Sequence, residues 1–184
     1  HLSTRRQRQM CIRDRDTPSR WVANHRLHHC HSDDEPDPHS PRDGVAWSHM
    51  GWLFRLVPHR KSINFLDKYA RDILVDPYYR ALEQHPMAVL WIYIAHAVVF
   101  GALGLLLGWW TSGDWEACTQ LAVSCIVWGV FLRTVLVWHI TWSVNSLTHL
   151  FGYRTYSTGE DSRNNWLVAI LAMGEGWHNN HHYL

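Results

Sequence analysis

Cysteine is scarce in this chain. Its four residues, Cys11, Cys30, Cys118 and Cys125, form no C-x-x-C pair, and two of them fall in an apolar segment. That spacing offers neither a zinc ribbon nor a disulfide framework. An excess of one charge is lacking too: the formal net charge is +1 over 184 residues, which argues against nucleic acid as a partner. Residues 1–15 are basic and lack the apolar stretch of a secretory signal. They have no periodicity and read as an unstructured arm with the look of translated adapter sequence, so the domain is expected over 16–184. The helical segments near the histidines lack the Glu-x-x-His pattern of carboxylate-bridged bundles. Charge is absent altogether from residues 87–110, where 24 residues run without Asp, Glu, Lys or Arg.

That last absence carries the architecture. About 20 apolar residues in a helix cross a bilayer, so 87–110 and 117–140 are predicted as two spans. Arg133 is the one charge in the second, close enough to its end for the side chain to reach the headgroups. Of 17 Lys and Arg, 14 precede the first span and two follow the second, while the loop between them has none. The positive-inside rule then puts both flanks in the cytoplasm. The run Trp166–Met173 is too short to span. Twelve tryptophans and seven tyrosines suit membrane–water interfaces, and Trp47, Trp52, Leu53, Phe54, Leu56 and Val57 form one such segment. Residues 32–44, rich in Pro, Asp and Ser, read as a loop. From Phe65 to Val75 the apolar residues Phe65, Leu66, Tyr69, Ile73 and Leu74 recur at helical spacing, an amphipathic helix expected to lie in the membrane plane and to break at Pro77.

Histidine is what the chain has in abundance, 15 in all. His25-Arg26-Leu27-His28-His29 and His178-Asn179-Asn180-His181-His182 are two H-x-x-H-H pentads, and Asn145-Ser146-Leu147-Thr148-His149 adds one more imidazole with an amide one turn earlier. On a helix, positions i, i+3 and i+4 share a face. Two spans return the chain to its starting side, so all seven imidazoles fall on the cytoplasmic side. Seven exceed what a single zinc takes, and neutral imidazole suits iron, zinc, copper or nickel. A lone pentad reads as an exposed polar face; two pentads and an N-x-x-x-H on one side read as a two-metal centre with nitrogen ligands. Asp33, Asp34, Glu160, Asp161 and Glu175 are unranked candidates to orient the rings. His31, His39, His49, His59 and His85 lack partner spacing and read as loop residues or supports, and His96 and His139 as packing or interfacial residues. The fold class is thus all-α: a transmembrane hairpin plus cytosolic helices carrying a histidine-rich di-metal site.

The text around the pentads resembles the membrane fatty acid desaturases of the acyl-CoA or acyl-lipid delta-9 type. It comprises Trp21-Val22-Ala23-Asn24 before HRLHH, Asp37-Pro38-His39-Ser40-Pro41-Arg42-Asp43-Gly44, Ser48-His49-Met50-Gly51-Trp52, NSLTH, and Gly174-Glu175-Gly176-Trp177 before HNNHH. The resemblance implies a multi-pass membrane enzyme with two ferrous ions held by His25, His28, His29, His149, His178, His181 and His182, and Asn145 reaching a metal through water. It implies a fatty acyl substrate, as a CoA thioester or lipid, and electrons from a ferredoxin or a b-type cytochrome. The reaction takes two hydrogens from adjacent methylenes, leaving a cis double bond. The family also has an earlier H-R-x-x-x-H box beside two further spans, and neither is among these residues. The resemblance therefore implies a piece cut at both ends and, on its own, inactive. Two rivals stand beside it. A related membrane hydroxylase would leave an alcohol. A histidine-rich metal transporter would need ionisable groups inside the spans, where His96 is the clear case.

Overall fold

The computed structural model describes residues 17–54, 62–85 and 87–184. The arm at 1–15 and the expectations for Leu56, Val57 and His59 lie outside the described residues. Within them the fold is helical, with β pairing limited to the isolated bridges Tyr153–Asn164 and Asn164–Trp177. The helices are α1 (Pro18–Cys30), α2 (Val45–His49), α3 (Ile63–Leu74), α4 (Pro77–Gln84), α5 (Ala88–Ser112), α6 (Trp115–Ile126), α7 (Arg133–Leu150), α8 (Trp166–Leu171) and α9 (His178–Tyr183).

Among the described residues, α5 is one of two helices long and apolar enough to cross a membrane. The other is continuous from Trp115 to Leu150: α6 passes through a π-helical stretch, Val127–Leu132, into α7. Gly113 turns the chain between them in the left-handed region (φ 65°), and the Asp114 carboxylate accepts from Ala117 N–H to cap α6. Gly101, Gly104 and Gly108 are buried where the two helices meet. A Cβ on Gly104 would stand 2.5 Å from Ala122 Cα, and one on Gly108 2.6 Å from Cys118 Cα, so glycine is what permits this approach. The other faces are apolar and exposed, with Leu106 at 68% and Trp110 at 84%. Arg133 lies over the Phe100 ring at 5.7 Å, which gives its charge an aromatic partner.

The second apolar helix differs from the span expected at 117–140. At 36 residues it is about 54 Å long, roughly 24 Å more than a hydrocarbon core of about 30 Å. The excess is the lower part of α7, and it carries Asn145 and His149 away from the apolar section as a rigid stalk.

Around the stalk sits a polar cap. In α1, Pro18 occupies the first turn, where its missing N–H costs nothing. Thr17 and Ser19 hydroxyls and Arg20 Nε (2.5 Å) all reach the Glu83 carboxylate on α4. Arg26 pairs with both oxygens of Asp72 on α3 at 2.6 and 2.9 Å. The amphipathic helix forms as predicted, but its apolar face is not free for a membrane. Phe65, Leu66, Ala70 and Ile73 are buried together with Ala23 and Leu27 of α1. A partner helix outcompetes lipid for that face because α1 offers a matching apolar strip opposite its histidines. Pro77 ends the run as expected and starts α4 behind the Asp76 cap. Residues 32–44 form the predicted loop, with one 3₁₀ turn at Pro41–Asp43.

Candidate metal centre

The seven histidines singled out by spacing meet at one place in the cap, in two groups. His28, His149, His178 and His182 form one, and His25, His29 and His181 the other; within each, the ligand atoms lie within 4.8 Å of one another. The pentads do not serve one group each. In each pentad the i and i+4 histidines go to one group and the i+3 histidine crosses to the other. A helical stripe is wide enough for this, because i and i+4 stack one above the other while i+3 sits beside them. His29 and His182, one from each group, stack at 4.3 Å between ring centroids, so the groups share a wall.

The Nε2 atoms point inward. His29 Nε2 is 2.9 Å from His181 Nε2 and 3.1 Å from His25 Nε2, and His25 and His181 are 3.3 Å apart. In the other group His178 Nε2 is 3.1 Å from His149 Nε2 and 3.0 Å from His182 Nε2. Three nitrogens in a triangle cannot all satisfy one another with single protons, whereas one cation accepts every lone pair.

Two carboxylates set the tautomers. His28 Nδ1–H donates to Asp37 Oδ2 at 2.8 Å, and His149 Nδ1–H donates to Asp33 Oδ2 at 3.0 Å, with all four side chains buried. The proton on Nδ1 leaves Nε2 as a lone pair facing the cluster. His28 Nε2 is buried with no hydrogen-bond partner, the state of a donor atom aimed at a cation. Asp33 reaches back because its backbone is left-handed (φ 64°) just past the end of α1, a conformation Asp tolerates. Its Oδ2 also accepts Asp161 N–H at 2.7 Å, while Asp37 accepts the backbone N–H groups of Asp33 and His39 at 2.9 and 3.0 Å. Glu160 stands 3.8 Å from Nδ1 of both His149 and His182.

Burial dominates the electrostatics. It drives His25, His29, His178, His181 and His182 below the ordinary imidazole range, and neighbouring imidazoles push further. His29 falls to about 3 by burial first and His181 second. Burial, the largest single influence, would raise Asp37 and Asp33, but the hydrogen bonds from His28 and His149, neighbouring imidazoles and backbone N–H groups together outweigh it and hold both below the usual carboxylate range. The result is that these five imidazoles are held neutral while the two supporting carboxylates stay ionised, the charge state that metal binding requires.

The neighbourhood of the second pentad is built by its asparagines. Asn179 Oδ1 accepts the N–H groups of Thr155 and Tyr156, both at 2.8 Å. Asn164 Nδ2 donates to Asn180 Oδ1 at 2.8 Å, and Asn180 N–H returns to Asn164 Oδ1 at 3.2 Å. α9 thereby holds the 153–164 loop, which delivers Glu160 and Asp161. Trp21 stacks on His25 at 4.7 Å and fixes that ring from outside.

Spacing in the sequence missed some of this. Asp37 was not among the expected supports. His39, without partner spacing, is buried and packs on His28 at 4.3 Å. His49 and His139, read as unrelated, lie 3.0 Å apart, with Ser146 Oγ 3.0 Å from the other His49 nitrogen. Asp34 and Asp161, candidates as supports, share Arg42 at 2.9 Å, and Asp161 touches the centre only through its backbone. Glu175 precedes His178 by three residues but sits in the turn before α9, so no helical Glu-x-x-His arises. Asn145 is half-buried on α7, one turn before His149.

A helical protein with two apolar helices and a buried cage of neutral imidazoles is defined as a candidate membrane metalloprotein. Sequence comparison gives the family: residues 15–184 match fatty acid desaturase, and the chain belongs to that family. It is 46% identical over 165 residues to an sn-1 stearoyl-lipid 9-desaturase of Anabaena variabilis, covering 90% of this chain and 52% of the relative. It is 39% identical over 166 residues to an sn-2 palmitoyl-lipid 9-desaturase of Nostoc, covering 90% and 51%. With an acyl-CoA C20 Delta5-desaturase of Anemone leveillei it shares 38% over 167 residues, covering 90% and 46%. The chain thus spans about half the length of the curated relatives it matches.

Proposed function

We propose that this chain is the metal-binding part of an O2-dependent desaturase that puts a cis double bond, at the delta-9 position, into a saturated acyl chain. The observation that carries the reading is the paired imidazole cage, with His28 and His149 locked by Asp37 and Asp33. The proposed ligands are His25, His28, His29 and His149 with His178, His181 and His182, and Asn145 contributes through water. Two iron ions suit this donor set: imidazole suits iron, and the count exceeds one ion's needs. When bound, they supply the oxidising power that an unactivated methylene demands.

The protein's own contribution is preorganisation. The Asp37 and Asp33 carboxylates accept the Nδ1–H of His28 and His149 and leave their Nε2 atoms facing the cluster, and burial holds His25, His29, His178, His181 and His182 below the ordinary imidazole range. In this reading α5 and the long helix from Trp115 cross the bilayer as a hairpin, and His149, at the end of the stalk of α7, lies beyond the apolar section on the cytoplasmic side. A site there meets a substrate with a polar head at the surface and its tail in the membrane. Named relatives favour a lipid-linked acyl chain, since the 46% and 39% identical relatives act on stearoyl and palmitoyl lipids; CoA-linked chains remain the second substrate class because of the 38% identical relative. A ferredoxin or b-type cytochrome is the proposed electron donor.

The test is expression of the complete reading frame in a desaturase-deficient host. Gas chromatography of the lipids is expected to show a cis monoene at delta-9. A hydroxylated acid would instead assign the hydroxylase chemistry, and unchanged lipids with a metal-loaded protein would refute the desaturase reading.

A further inference from the structure

His149 is supported through a carboxylate that is itself held by only one of its oxygens. The His149 Nδ1–H donates to Asp33 Oδ2 at 3.0 Å, and Asp161 N–H donates to the same oxygen at 2.7 Å. The other oxygen, Asp33 Oδ1, is buried with no hydrogen-bond partner, so it does nothing to orient the carboxylate. The hold on Asp33 must come through its backbone, which is left-handed (φ 64°), a region that residues with a Cβ populate sparsely. Arg42 supplies that hold. Its Nη1 donates to the Asp33 carbonyl at 3.2 Å and to Asp34 Oδ1 at 2.9 Å. Its Nε and Nη2 each reach Asp161 Oδ2 at 2.9 Å. One guanidinium thus joins the two residues whose atoms meet behind His149: Asp33 by its carbonyl and Asp161 by its side chain. A rigid planar fork with several N–H donors can span such a set.

Local structure aims the fork. Arg42 lies in the Pro41–Asp43 turn, where Ser40 Oγ accepts its backbone N–H at 3.2 Å and donates to the same Asp33 carbonyl at 3.4 Å. The bridge also ties the two pentads together. Residues 32–44 follow α1, which carries the first, and residues 153–164 are clamped by Asn179 and Asn180 of α9, which carries the second. Magnitude separates this role from general stability. The side chains of Arg42, Asp34 and Asp161 are 50%, 77% and 38% exposed, whereas those of Asp33 and His149 are fully buried. Ion pairs this exposed add little to folding. A tilt of Asp33, by contrast, passes directly to the ring that must present Nε2 to the cage. Arg154 offers an internal comparison. It pairs with the same carboxylate, at Asp161 Oδ1 and 3.0 Å, but among the described residues it makes no hydrogen bond to Asp33.

We propose that Arg42 is a positioning residue for His149: by bridging the Asp33 carbonyl and the Asp161 carboxylate it holds the Asp33 side chain behind His149 Nδ1, and so secures the metal of the group His28, His149, His178 and His182. This rests on the reading of the imidazole cage as a two-iron centre. The metal of the group His25, His29 and His181 has no such link to Arg42, so the effect is confined to one ion.

The experiment follows release of ferrous iron to an excess of a colorimetric chelator from the iron-loaded protein of the complete reading frame in detergent, with Mössbauer spectra of the same samples. Arg42→Gln is expected to release one iron about 10-fold faster, as for other groups that support a ligand, to leave the second rate unchanged, and to shift one ferrous doublet. Arg154→Gln takes an equal charge from Asp161 but leaves the bridge, so it should match the unsubstituted protein; an effect equal to that of Arg42→Gln would overturn the proposal. Arg42→Lys keeps the charge without the fork and is expected to follow Arg42→Gln; recovery of the unsubstituted rate would mean that charge alone acts and would overturn the bridge. Normal release from Arg42→Gln would overturn it too, as would both irons loosening equally alongside a lower melting temperature. His149→Ala separates the two readings. If that variant keeps both irons, the cage reading itself falls; if it loses one while Arg42→Gln changes nothing, only the role of Arg42 fails.

Discussion

The cap and the two long helices are built with opposite insides and outsides. In the cap the most buried side chains include His28, His178, Asn164 and Asn179, while along α5 the buried residues are three glycines and the outward ones are Leu, Val and Trp. Water as the only solvent accounts for neither. Burying imidazoles side by side costs desolvation unless something accepts their lone pairs, and exposing an apolar helix on most of its surface costs unless lipid covers it. The contrast supports the proposal that each region is completed by something other than water, a cation in the cap and hydrocarbon around the helices.

The comparison breaks most visibly at a ligand. His149→Ala is expected to cut activity and iron content more than about 100-fold, beyond the range of supporting residues, as read by acyl product and elemental analysis; retained iron would remove His149 from the centre. Asp37→Asn keeps the shape but loses the charge behind His28, and should cost about 10–100-fold in metal affinity. A titration with Fe2+ showing no change would mean that the Asp37–His28 bond is only structural. On the helix side, Gly104→Leu forces a side chain against the Ala122 backbone and should lower stability by roughly 1–3 kcal/mol. Leu106→Phe, on the exposed face, should stay within about 0.5 kcal/mol, so equal effects in a thermal unfolding series would contradict the packing.

Acidification probes the cap by a different route. Unfolded imidazoles titrate near 6.5, and in the folded cap His25, His29, His178, His181 and His182 lie lower, with His29 at about 3. Between those values the unfolded chain holds more protons, so stability of the metal-free protein falls as pH drops below about 6.5. A melting temperature in detergent that is flat or rising from pH 7.5 to 5 would contradict neutral buried rings.

Much of this was readable in advance because the features are periodic. The pentads put three imidazoles on one stripe whatever the tertiary fold, and 24 residues without charge have few other destinations. What could not be read depends on loops and on competition between partners. Asp37 reaches His28 only because residues 32–44 fold back, and no spacing rule describes such a return. The helix at Phe65 to Val75 carried a correct amphipathic pattern, yet the pattern cannot say whether lipid or α1 takes its apolar face. Likewise each pentad signals a shared face but not that its i+3 histidine serves the neighbouring group.

X-ray absorption at the iron edge of the iron-loaded protein in membranes asks directly whether the imidazole cage holds the metal. The expected spectrum has a nitrogen shell near 2.1 Å with the outer-ring scattering of several imidazoles per iron, lost in a His28→Ala His178→Ala double variant. An oxygen or sulfur shell without imidazole scattering, unchanged in that variant, would place the iron elsewhere and contradict the account.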